Sequence, residues 1–163
     1  MRNGIKNKLL RRYAESPVFT EFAGKCGMGQ KLDEYGRSDL HYAACDGDID
    51  AAKKLVRQRD VNLSDKRGWT PLHFAAQSGS VEIAKLLLES GAIVDAVDVH
   101  GNTPLSCATF NSRGEGKMIA LLRQAGADPL LKNAHGVSPV SLARNIGNYD
   151  VAQFFSDIPE TNE

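Results

Sequence analysis

Two residues with reactive side chains, His41 and Cys45, lie four positions apart. Residues at this spacing share one face of a helix, so the imidazole could take the proton of the thiol. A cysteine activated by a histidine is the minimal arrangement of a thiol nucleophile and its general base. The spacing alone therefore admits a thiol hydrolase, although such a site also needs further geometry around the pair.

Metal and phosphate chemistry find less support in the chain. The four histidines, at His41, His73, His100 and His135, are spread along the sequence, whereas zinc needs clustered ligands. The run GEGK at 114–117 resembles part of a phosphate-binding loop. It lacks the earlier glycine of that motif and a Ser or Thr after Lys117. We expect no metal and no cofactor.

Composition and charge exclude other classes of function. Twenty Lys and Arg residues balance twenty Asp and Glu residues over 163 positions, so there is no bulk attraction to nucleic acid or to an anionic membrane. No apolar run is long enough for a secretion signal or a membrane span. Three widely spaced cysteines do not form a disulfide framework. These features predict a cytoplasmic protein.

The helices and loops that would position these side chains belong to a sequence repeat. The stretches GRSDLHYAACDG, GWTPLHFAAQSG, GNTPLSCATFNS and GVSPVSLARNIG begin at Gly36, Gly68, Gly101 and Gly136, at intervals of 32, 33 and 35 residues. A period near 33 is typical of a stacked-repeat architecture. His41 and His73 occupy equivalent places in two copies, which favours a structural role for both.

Each copy predicts two short helices and a hairpin-like loop. A Thr or Ser followed by proline predicts the start of the first helix, because the hydroxyl caps it and the first helical position needs no N–H. A second cap and a larger apolar stripe predict the second helix, which ends at a glycine. One unit cannot bury its own apolar face, so the units must stack into a solenoid.

This pattern resembles the ankyrin-repeat family. The resemblance rests on Thr70-Pro71-Leu72-His73, Ala75-Ala76, Gly79, Leu86-Leu87, and Gly91-Ala92 with Asp95. Asp39 replaces the proline of the first copy, and Ser106 and Ser141 replace histidine in the later copies. The resemblance implies an all-α ankyrin-repeat solenoid of helix–turn–helix units with hairpin-like loops. It also implies that the histidine bonds to the neighbouring turn and orders the stack.

The expected organisation is four repeats, at about 33–65, 66–97, 98–132 and 133–157. A helical capping segment at 1–32 precedes them, and a disordered tail at 158–163 follows. The start of the chain carries five positive charges before Glu15. Such a run is typical of a solvated helix face, and a basic arm that touches phosphates or an acidic partner is the alternative.

The resemblance implies a non-enzymatic module that binds another protein through its loop tips and the exposed ends of its first helices. Trp69 is open to two interpretations, partner contact or packing between neighbouring tips. The longer turn FNSRGEGK of the third copy is also open, as a tolerated insertion or as an adapted contact. The candidate partner-binding residues are Tyr35, Arg37, Asp46, Lys66, Arg67, Trp69, Gln77, Ser78, Val99, His100, Asn102, Phe110, Asn111, Arg113 and His135.

Within the family, short chains include inhibitors that cover the working surface of a partner. In bacteria they include immunity proteins that neutralise a toxin. The sequence shows no further domain, so the leading expectation is an inhibitor of the immunity type, monomeric when free. An adaptor or scaffold protein is the alternative, and a thiol hydrolase based on Cys45 and His41 is the distant one.

Overall fold

The structure is a computed structural model that describes residues 31–147 and 150–159. The expected capping helices and the basic start fall almost wholly in 1–30, outside the described residues. The same holds for Asn148, the expected cap of a second helix in the fourth repeat, and for the tail from residue 160.

The described ranges contain seven α-helices and a closing 3-10 helix, so the all-α fold class is confirmed. The first helices of the repeats are α1, α3, α5 and α7, and the second helices are α2, α4 and α6. Their bounds are α1 Asp39–Asp46, α2 Ile49–Leu55, α3 Pro71–Ser78, α4 Val81–Glu89, α5 Pro104–Asn111, α6 Lys117–Gln124, α7 Pro139–Asn145 and the 3-10 helix Ala152–Phe155.

The first helices begin where the Thr-Pro and Ser-Pro signals predict. Proline occupies the first turn of α3, α5 and α7, and a capping box closes the start of each first helix. Helix α1 forms with Asp39 in place of proline, because Ser38 and His41 still complete the box. Of the second caps, Asp48 accepts the Ala51 N–H at 2.9 Å. The hydroxyl of Ser80 instead lies 2.9 Å from that of Ser78.

The core runs through the stack along equivalent positions. Leu40, Leu72, Leu105 and Val140, one per first helix, are at most 3% exposed. Small alanines follow them in each first helix, which lets neighbouring helices approach closely and exclude water. In α4 the stripe is carried by Leu87, which is fully buried, while Leu86 is only partly buried.

The fourth repeat ends differently from the others. Its first helix is followed by the 3-10 helix, and Arg123 from the preceding repeat binds Asp157 through both terminal nitrogens. Arg144 donates to the carbonyl of Ile158 at 2.8 Å, and the Ile158 side chain packs on the core. Ile158 therefore differs from its expected place in a disordered tail, because its apolar side chain and its carbonyl both have partners.

Within residues 31–147 and 150–159, no helix has the length and apolar content that crossing a bilayer requires.

Candidate protein-binding surface

Each hairpin-like loop is held by one Asp or Asn side chain at its start, which we call the turn base. Oδ1 of Asp65 accepts the N–H groups of Arg67 and Trp69 at 2.8 and 3.0 Å. A side chain that bonds the backbone two and four residues on stabilises a tight turn. The same two bonds recur at Asp33, Asp98 and Asn133. The four loops are therefore copies of one rigid turn.

Backbone hydrogen bonds join each loop to the next. The N–H of Lys66 donates to the carbonyl of Tyr35 at 2.9 Å, and that of Val99 donates to Arg67 at 2.9 Å. The last step is the bond from Ala134 to His100 at 2.8 Å. The two residues before each loop glycine are exposed, and together they form what we call the tip row. Its members are Glu34, Tyr35, Lys66, Arg67, Val99, His100, Ala134 and His135.

In the first three loops, the residue after the loop glycine links neighbouring repeats. Arg37 Nε donates to Asp65 Oδ2 at 3.2 Å, and Trp69 Nε1 donates to Asp98 Oδ2 at 3.1 Å. In the next pair, Asn133 Nδ2 donates to Asn102 Oδ1 at 2.8 Å. Arg37, Trp69 and Asn102 are candidate binding residues from the sequence, and in the structure all three hold repeats together.

The contacts of Trp69 favour its packing interpretation. Its ring stacks on His73 with centroids 5.8 Å apart, and it meets the Phe74 ring edge-on at 5.1 Å. The guanidinium carbon of Arg67 lies 4.8 Å from the Trp69 ring centroid. With its indole N–H also bonded to Asp98, the side chain is engaged on several sides.

The aspartates at the turn bases remain charged despite burial. Burial raises the pKa of Asp65. The N–H groups of Trp69 and Arg67 and the Arg37 guanidinium together lower it by more than burial raises it, so the net shift is downward. The pKa of Asp98 is lowered in the same way by bonds from Asn102 and His100. Asp65 and Asp98 are therefore anions at neutral pH, and both are used inside the fold.

The buried histidines confirm the role that the resemblance implied. Nδ1 of His73 accepts the Thr70 N–H at 3.1 Å, and Nε2 lies 3.2 Å from the carbonyl of Asn102 in the next loop. Because Nδ1 accepts, the proton sits on Nε2 and is donated to that carbonyl. His41 makes the equivalent bonds to Ser38 and to the carbonyl of Trp69.

These bonds remove the chemistry first suggested by His41 and Cys45. Both ring nitrogens of His41 are taken, so the imidazole has no lone pair left for the Cys45 thiol. Burial lowers the pKa of His41, which further disfavours proton uptake. Burial also raises the pKa of Cys107 to about 12, so that thiol stays protonated. His41 is therefore not available as the base of the distant thiol-hydrolase alternative.

The two buried histidines predict a loss of stability in mild acid. Burial lowers the pKa of both His41 and His73 below 6.5, so the unfolded chain takes up protons before the folded one does. The free energy of unfolding is therefore at its full value above pH 6.5 and falls as pH drops below it. The slope is at most about 1.4 kcal/mol per pH unit for each histidine.

Urea unfolding at pH 7.5, 6.5 and 5.5 measures this loss. The turn aspartates do not interfere, because their pKa values lie below 3.8. The variant His73→Ser is expected to lose about half of the slope. A flat profile in the unsubstituted chain would contradict neutral buried histidines.

The ends of the first helices supply the second part of the surface. Asp46, Gln77 and Asn111 are exposed, and Phe110 has 70% of its surface exposed. Ser78 is exposed as a residue, but its hydroxyl donates to the carbonyl of Ala44 in the preceding repeat at 3.0 Å. Phe110 is thus the residue at these ends with apolar area to offer a partner.

The long turn of the third repeat has an internal role that the sequence did not indicate. A Cβ at Gly116 would lie 2.2 Å from Cε1 of Phe154, so the turn needs glycine there to pack under that ring. Arg113 is exposed and takes a left-handed conformation with φ 47°. Part of the longer turn therefore packs against the closing 3-10 helix, while the side chains of Phe110 and Arg113 are exposed.

Histidines in the tip row are closer than their sequence spacing suggests. The rings of His100 and His135 lie with centroids 6.4 Å apart, because the backbone bond between their loops sets them side by side. The expectation that the histidines are too spread out to come together is wrong for this pair. Even so, residues 31–147 and 150–159 contain no group of three side chains that could hold a metal ion.

Stacked helix pairs that present a rigid row of loops define a helical-repeat solenoid whose outward side chains are placed for contact with another surface. Residues 40–133 match the family model for ankyrin repeats in three copies. The chain belongs to the ankyrin-repeat family. Ankyrin repeats are protein–protein interaction modules, and the chain is one of them.

Three relatives show the extent of the likeness. The chain is 32% identical over 133 residues, or 80% of its length, to human SH3 and multiple ankyrin repeat domains protein 2. It is 32% identical over 137 residues, or 83% of its length, to ankyrin repeat protein nuc-2 of Neurospora crassa. A 48-residue stretch, 29% of the chain, is 50% identical to the mouse nuclear factor NF-kappa-B p105 subunit. The matches span 7%, 13% and 5% of these proteins, so the likeness concerns the repeats.

Proposed function

We propose that this chain inhibits a partner protein by covering the partner's working surface, as an immunity protein does with a toxin. One observation carries the proposal. Two of the most exposed apolar side chains in the described ranges belong to the third repeat, Val99 in the tip row at 64% and Phe110 at the helix end at 70%. Exposed apolar area on a rigid frame is typical of a surface that another protein covers.

The rigid tip row favours covering of the partner's surface. It does not favour a mode in which this chain folds around a flexible loop of the partner. The tip row is fixed by backbone bonds and by the turn-base side chains, so its members are already in place before binding. A preordered surface loses less conformational entropy on association. A partner held against several repeats would have that area closed to its own substrates, and inhibition would need no further chemistry from this chain.

Co-purification from the native source, followed by an activity assay of the retained protein, tests the proposal. The expected result is a stoichiometric partner whose activity falls as this chain is added. A partner that keeps full activity when saturated, or the retention of no partner, would overturn it. We further propose that the free chain is a cytoplasmic monomer, which sedimentation of the purified protein and microscopy of tagged cells would check.

Replacing Phe110 by alanine is expected to weaken binding of that partner by more than ~2 kcal/mol, because a large apolar side chain at an interface often dominates affinity. Since it is 70% exposed, the free energy of unfolding should change by less than ~0.5 kcal/mol. Titration calorimetry and urea unfolding measure the two quantities. Trp69→Ala is the contrasting variant and is expected to lower stability chiefly. The opposite pattern would return Trp69 to the role of the main partner contact.

An adaptor is the second candidate, and a separate observation favours it. Ile93, Val97 and Leu130 are 52–57% exposed and lie in the segments between a second helix and the following loop. A second apolar area of this kind could hold another protein while the tip row is occupied. If the first partner binds with undiminished activity and Ile93→Asp releases a different protein, the adaptor is the better description.

A further inference from the structure

We propose that the partner segment held by the tip row is acidic, with carboxylates opposite Lys66 and Arg67 and an apolar side chain opposite Val99. The inference rests on the proposed function, since it names the chemistry of the protein that this surface takes. It goes beyond that function because neither the family nor the repeat pattern dictates the charge of the tips.

In the second, third and fourth loops, every turn base is used inside the fold. Asp65 and Asp98 are 5% and 8% exposed, and their oxygens accept bonds from the turn backbone and from the preceding repeat. The fourth loop has the neutral Asn133 in this place. The six tip-row residues of these loops include two cations and no carboxylate. A partner approaching these loops therefore meets positive charge first.

Within residues 31–147 and 150–159, the cations around the second loop outnumber the carboxylates paired with them. Arg37 Nε bonds Asp65 Oδ2 at 3.2 Å, whereas Arg67 Nε is at 3.6 Å from the same oxygen and its side chain is 53% exposed. One buried carboxylate thus serves two guanidinium groups, and the exposed Lys66 adds a third cation. The exposed acid of the tip row, Glu34, lies in the first loop, so the positive region begins at the second.

Arg67 is also held in a conformation suited to a carboxylate. Its guanidinium carbon lies 4.8 Å from the centroid of the Trp69 ring, and that ring is fixed by Asp98 and His73. A guanidinium held over an aromatic ring loses little freedom when it forms the two parallel bonds that a carboxylate accepts. The platform under Arg67 thus gives Trp69 an indirect part in binding, in addition to packing.

The rest of the row argues for a protein segment over nucleic acid. A polyphosphate backbone needs cations repeated along its track. Of the second, third and fourth loops only the second carries Lys or Arg in the tip row, while the others present Val99, His100, Ala134 and His135. This sequence of charge followed by apolar and imidazole groups fits an Asp or Glu with a neighbouring apolar side chain.

The test uses the full chain labelled with ¹⁵N and a twelve-residue peptide of alternating Glu and Leu, with the Gln and Leu peptide as its control. Titration should shift the backbone N–H signals of Lys66, Arg67 and Val99 with the Glu peptide, and at least tenfold less affinity is expected for the Gln peptide. The double variant Lys66→Glu, Arg67→Glu should lose about tenfold or more in affinity for the Glu peptide. Lys54→Glu, which changes an exposed lysine of α2, should not.

Equal binding of the two peptides, no shift with the Glu peptide, or an unchanged affinity of the double variant would overturn the inference. Tighter binding of a single-stranded DNA of twelve nucleotides at the same signals would overturn it too. If a co-purified partner is inhibited equally by the double variant and by the unsubstituted chain, the proposal of an acidic partner segment is wrong while the inhibitor proposal stands. If the peptide binds as expected and no partner is inhibited, the inhibitor proposal fails instead.

Discussion

Replacing His73 by alanine is expected to lower the free energy of unfolding by about 3–5 kcal/mol, the largest loss for any single change proposed for this chain. The side chain is fully buried, and its removal leaves a cavity between Trp69 and Phe74. It also leaves the N–H of Thr70 and the carbonyl of Asn102 without their partner. Urea unfolding monitored by circular dichroism measures the loss.

The chain contains its own control for this change. Ser106 and Ser141 stand where histidine does in the earlier repeats, and their hydroxyls lie within bonding distance of the capping residue of their helices. His73→Ser should therefore keep the helix start and lose only the link to the next loop, recovering about 1 kcal/mol of the alanine loss. Identical losses for the two variants would show that the capping bond contributes nothing. A loss below about 1 kcal/mol for alanine would contradict the stacking role.

Replacing Gly68 by alanine is expected to cost about 2–4 kcal/mol. Its φ is +82°, a conformation in which a Cβ meets its own backbone. In addition, that Cβ would lie 2.9 Å from Cα of Asp98 and 3.1 Å from the N of Val99, both in the backbone of the next loop. The loops would have to separate, which weakens the bond between Val99 and Arg67.

Gly79→Ala separates the two causes. Gly79 has a similar φ of +73°, but no atom lies within 4 Å of a Cβ placed there. Its expected cost is about 1 kcal/mol, from the backbone conformation alone. Thermal unfolding of both variants gives the difference, which measures the crowding between loops. If the two variants are equally stable, the close approach of the second and third loops is wrong.

Much of the fold could be predicted because its signals recur at a fixed interval. The Thr-Pro and Ser-Pro pairs marked the first helices, and Gly91 and Gly126 take the left-handed conformation expected after α4 and α6. The buried histidine could be assigned to the stack only through the family resemblance. Its two bonds join residues three and 29 positions apart, and spacing alone does not reveal the longer one.

The candidate surface was harder to predict, because side chains at similar sequence positions make different contacts in the structure. Arg37 and Arg67 are both loop arginines, yet the first bonds Asp65 directly and the second lies exposed over Trp69. The sequence did contain a signal for the loop-base contacts, since an Asp or Asn stands at the base of each of the four loops. The sequence does not reveal that the bases of the second, third and fourth loops bond the preceding repeat, because those bonds depend on how the units stack.

The bonds that join the loops have a consequence for how such a surface can change over generations. They use only main-chain atoms of Tyr35, Arg67 and His100 as acceptors and of Lys66, Val99 and Ala134 as donors. Side chains at these six positions can therefore be exchanged without altering the frame that presents them, and a new specificity can arise one residue at a time. Proline is the exception at the three donor positions, because it has no N–H to give.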